Sequence, residues 1–111
     1  MAFNRQLFDS INRKYKKAHD EITDLYYNQK KLTKEQFEIL HELVWALHEK
    51  ERYDYGFYTD KGDKELPDEV LNNAEWQQEH QKRVNYITNR ISELQNLKAS
   101  KCKGFKYTFE E

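Results

Sequence analysis

Cysteine is almost absent from this chain, as are glycine, proline and any long apolar run, and each shortage removes a class of protein. The lone Cys102 excludes an internal disulfide and a thiolate metal cluster. Only Lys101 and Lys103 stand near it to favour the thiolate, so it reads as a free thiol in a reducing compartment. Three glycines leave no loop to cradle a phosphate, and the three serines have no neighbouring histidine to activate them, which points away from an enzyme. The longest apolar run, residues 43–47, is far short of the about 20 residues that cross a bilayer. The opening MAFNRQLFDS lacks the apolar centre of a signal peptide, so the expected location is cytoplasmic.

Net charge is also small. Lys and Arg number 19 against 20 Asp and Glu, leaving −1, so the 35% of charged residues coat a folded surface as intermixed pairs rather than extend the chain. Leu, Ile, Val and Phe total only 24 of 111 residues, close to the level of about 20% below which chains struggle to fold. Eight tyrosines, six phenylalanines and two tryptophans supply the missing apolar area. With no repeat, linker or low-complexity tract, residues 1–111 form one domain of marginal stability.

What is present is helical periodicity. Thr33 stands as an N-cap, Gln36 completes a capping box, and Leu32 and Phe37 are placed to close a hydrophobic staple, so a helix begins at about Lys34. Phe37, Leu40, Val44 and Leu47, widened by Ile39 and Leu43, carry its apolar face to residue 52. Before it, Phe8, Ile11, Tyr15, Ala18, Ile22 and Leu25 recur at alternating spacings of three and four, which predicts a helix over residues 4–29. The short link at residues 30–33 makes the two helices antiparallel.

A third helix is predicted over residues 67–98, opened by Pro67 with Asp68 and Glu69 in its first turn. Its second half is regular, with Val84, Ile87, Ile91 and Leu94; its first half places Asn73, Gln77 and His80 on the seam. Either the helix breaks at Asn72 and Asn73 or that half projects as an overhang carrying Trp76. The segments between and after are aromatic. In the loop 53–66, Tyr53, Tyr55 and Phe57 alternate ahead of a turn at Thr59, Asp60, Lys61 and Gly62; in the tail 99–111, Phe105, Tyr107 and Phe109 alternate. The expected fold is all-α: an antiparallel three-helix bundle, or a helical hairpin with a long third helix, carrying a small β-like attachment of loop and tail.

No motif supplies chemistry. His41-Glu42 opens a zinc-protease pattern whose second histidine position is Trp45, and His41 and His48 lie roughly 10 Å apart along a helix. Glu38 and His41 match half of a di-iron ligand set with no second half. Asp60, Asp63, Glu65 and Asp68 do not fit a calcium loop. No cofactor or metal is expected.

Binding remains. Trp45, Tyr53, Tyr55, Phe57, Tyr58 and Trp76 are residues of the kind that anchor protein interfaces, so the first expectation is a non-enzymatic protein that binds another protein; the competing outlet for these rings is a packed satellite cluster. The alternative is nucleic-acid binding through Arg13, Lys14, Lys16 and Lys17, joined by Lys101, Lys103 and Lys106 of the tail. A pI near 6.4 weighs against it. Shared heptad seams allow a homodimer. The richness in Lys, Glu, Asn and Tyr at this size resembles that of accessory proteins from phages and mobile elements of low-G+C bacteria, which implies a role in inhibiting or redirecting a host macromolecule.

Overall fold

The computed structural model describes residues 4–58 and 66–110. The expected turn at Thr59 to Gly62 and the acids Asp60, Asp63 and Glu65 lie outside the described residues. Among the described residues four α-helices follow one another: α1 (Arg5–Tyr27), α2 (Lys34–Asp54), the single turn α3 (Asp68–Leu71) and α4 (Ala74–Lys101). The all-α fold is as the periodicity predicts.

Local chemistry sets the helix ends. Asn4 caps α1 by accepting from the backbone N–H of Leu7. At α2 the capping box is complete: Thr33 Oγ1 accepts from Gln36 N–H at 3.1 Å, and Gln36 Oε1 accepts from Thr33 N–H at 2.9 Å. The third helix breaks where the asparagines stand. Asn72 ends α3, and Asn73 begins α4 by accepting from Trp76 N–H at 2.9 Å.

Cross-helix pairs fix the directions. On one side of α2, Lys14 meets Glu51, Asn12 meets His48 and His19 meets His41, so α1 runs antiparallel to it. On the other, Arg83 forks onto Glu49 at 2.8 and 2.9 Å, Arg90 grips Glu42, and Gln36 reaches the carbonyl of Lys101, so α4 is antiparallel as well. Helix α2 is therefore central, and α1 and α4 pack on it without packing on each other.

The tail fills the remaining gap. Positive φ at Gly104, +83°, turns the chain after α4. Phe105, Tyr107 and Phe109 then lie ring to ring, with Phe109 edge-on to Tyr15 of α1. Tyr107 is wholly buried, and its hydroxyl donates to the Leu40 carbonyl at 2.6 Å. Alternation thus puts three rings on one side, as read, but they pack on helices and end in a 3-10 turn, Thr108–Glu110. The expected β-like ribbon is corrected: no strand occurs among the described residues.

The other half of that ribbon is a helix end. Tyr53 belongs to the last turn of α2, and Gly56 at φ +83° closes a Schellman motif, with Gly56 N–H donating to Tyr53 O at 3.0 Å and Phe57 N–H to Arg52 O at 2.8 Å. This folds Phe57 inward against Phe8.

Candidate functional site

The α1–α2 seam carries, beside its buried aliphatic row, a second row of rings. Tyr26 stacks on Phe37, and the row continues through His41, Trp45 and His48 to Tyr15. Helical spacing produces it: positions 37, 41, 45 and 48 on α2 face positions 12, 15, 16, 19 and 26 on α1. In its middle lies a hollow of about 260 Å³ between Asn12, Tyr15, Lys16 and His19 of α1 and Val44, Trp45 and His48 of α2. Trp45 stands over it, 51% exposed.

The histidines hold this wall in place. Trp45 Nε1–H can only donate, and it lies 3.2 Å from His41 Nε2; His19 Nε2 is 3.1 Å from the same atom. Burial, reinforced by His19, lowers the His41 pKa below the usual imidazole range. His48 bonds Asn12 Oδ1 at 2.6 Å and stacks on Tyr15; burial, with Arg52 adding to it, lowers its pKa to about 4. At neutral pH the His48 ring that bounds the hollow beside the Trp45 indole is neutral, and Lys16 on the rim holds Asp20 at 2.8 Å. The hollow offers apolar contact rather than an acid and base pair.

A second cluster sits where the C-terminal end of α2 meets α4. Tyr53, Tyr58 and Trp76 surround His80, whose ring is stacked on Trp76. Tyr53 Oη donates to Glu49 at 2.6 Å; burial, then this carboxylate, raises its pKa to about 12.

The six aromatic candidates therefore separate. Trp45 belongs to the α1–α2 hollow; Tyr53, Tyr58 and Trp76 form the second cluster; Tyr55 is 53% exposed beside Lys50 and Asp54. Phe57, 7% exposed, is a core residue and presents no surface to a partner. The basic candidates separate too. Lys14 pairs with Glu51 and Lys101 with Glu35, positions about 24 Å apart along α2 at 1.5 Å per residue. Arg13, Lys17, Lys103 and Lys106 are exposed.

Sequence reasoning passed over His19, Asn12 and His48 as wall residues. In an antiparallel hairpin the residue numbers of facing pairs share only an approximate sum, 60 for 12 with 48 and 19 with 41 but 65 for 14 with 51, so these pairs needed the register of the two helices. Among the described residues no group of three or more His, Cys, Asp or Glu is placed to hold a metal ion, and no helix is long and apolar enough to cross a membrane. Comparison with protein-family models, curated proteins and solved structures finds no match.

Proposed function

We propose that the protein is a non-enzymatic binding module that captures another protein at the α1–α2 hollow, with Trp45 as its anchor. The observation that carries this reading is a half-exposed tryptophan standing over an apolar hollow, on helices already packed elsewhere. An indole left in water in that position gains most from an apolar side chain inserted beside it. A module without its own chemistry acts by covering its partner's surface, which is how it would inhibit or redirect that partner.

The test is affinity capture with wild type, Trp45→Ala and a control, Tyr86→Ala, an exposed ring on α4 away from the hollow. Loss of a specific captured protein in Trp45→Ala alone, with the helical circular dichroism unchanged, is the expected result. Capture that ignores Trp45 would overturn the assignment of the surface. Light scattering on the eluting protein, with and without a pool of short DNA and RNA, completes the test. The expected mass is near 13.6 kDa in both runs. A doubled mass would assign the hollow to a second copy, and a shift with the pool would assign function to the α1 lysines.

A further inference from the structure

The second aromatic cluster is built as a box. Around the His80 ring, the centroids of Tyr53, Tyr58 and Trp76 lie 4.7, 4.8 and 4.9 Å away; Trp76 is parallel to it within 4°, and the two tyrosines stand at 73° and 77°. Tyr58 also meets Trp76 edge to face at 5.3 Å and Tyr53 at 6.2 Å, so it joins the other two walls. A cation placed where the His80 ring now lies would fall within the about 6 Å over which aromatic rings attract positive charge, from three sides at once.

The present occupant does not use that capacity. Burial lowers the His80 pKa below its usual value, so at pH 7 the enclosed ring is neutral. Glu49 accepts from the hydroxyl of Tyr53, and Arg83 forks onto the same carboxylate. All four rings are half-buried where α2 ends against α4; Tyr53 packs on the edge of the hydrophobic core, and Tyr58, Trp76 and His80 lie outside it.

We propose that Tyr53, Tyr58 and Trp76 form a binding site for an organic ammonium group, with His80 as a side chain that fills the site until the ligand displaces it. The site is independent of the α1–α2 hollow and stands or falls separately. An alkylated ammonium is the best fit, because its methyl groups lose little hydration on entering the box while its charge lies over the Trp76 face and within about 6 Å of both tyrosine rings.

The experiment is a proton NMR titration of the full chain with choline, with a short peptide carrying trimethyllysine, and with 3,3-dimethylbutan-1-ol, the uncharged shape-mimic of choline. Ring currents shift the methyl signal of any ligand that enters the box. Expected are an upfield shift for one or both ammonium ligands, movement of the His80 imidazole signals in wild type, and affinity higher by about tenfold in His80→Ala, where the occupant is gone. Tighter choline assigns a free small cation, and tighter peptide assigns a protein side chain. Trp76→Leu, which keeps apolar bulk and removes the largest π face, is expected to abolish the shift while circular dichroism stays helical. Equal binding of the uncharged mimic, binding that survives Trp76→Leu, or ammonium ligands that move no His80 signal in wild type would each overturn the proposal. These wild-type readouts hold even where His80→Ala fails to fold.

Discussion

Single residues decide how this protein responds to acid. His48 titrates near 6.5 in an unfolded chain and near 4 in the folded one, so between those values the unfolded state binds the extra proton. Stability from this group is whole above pH 6.5 and falls as the pH drops towards 4. His41 and His80, both lowered chiefly by burial, add in the same direction. The carboxylates held low by partners, Glu42 by Arg90 and Glu49 by Arg83, withdraw their contribution further down the scale, below the ordinary glutamate value. Thermal melts from pH 7 to 4.5 should therefore show a falling Tm, and His48→Gln should flatten much of the slope, corresponding to about 2 kcal/mol across the window. An unchanged slope would mean that His48 takes up its proton without leaving Asn12. Tyr107 offers a second test. Tyr107→Phe keeps the ring among its neighbours and removes only the bond to Leu40 O, so urea unfolding should register a loss of about 1 kcal/mol.

At the scale of elements, helix starts carry defined weight. Thr33→Ala removes one arm of the capping box on the helix against which both neighbours pack, and Asn73→Ala removes the bond that restarts the chain as α4. Each should cost about 1 kcal/mol in chemical denaturation, with Thr33→Ala the more evident in helical signal because α2 is shared. The start of α2 was legible in the sequence because caps are local: one side chain, three residues, one bond. The extended segments were not. Tyr53, Tyr55 and Phe57 alternate like a strand, yet Gly56 was the informative letter, since a glycine just past an apolar period is a helix stop. In the tail, alternation correctly placed Phe105, Tyr107 and Phe109 on one side. What lay against them was set by the gap between α1 and α4, which no local pattern encodes. For the same reason Trp45 could be singled out by its type, whereas the His19 and His41 pair needed the register of two helices.

For the molecule as a whole, laying two long helices on a single central one gives an elongated body, 48 × 27 × 21 Å, with a radius of gyration of 15.9 Å. A compact domain of this length would have about 13 Å. Small-angle scattering from dilute monomer should return a value near the larger figure, and one near the smaller would contradict the side-by-side arrangement. That arrangement leaves α2 with two flanks that never meet. Trp45 faces one flank, and Tyr53, at the far end of the same helix, faces the other. If both proposed sites are filled, the molecule is bivalent by construction: the shared helix holds the two at a fixed spacing, as a rung holds two rails.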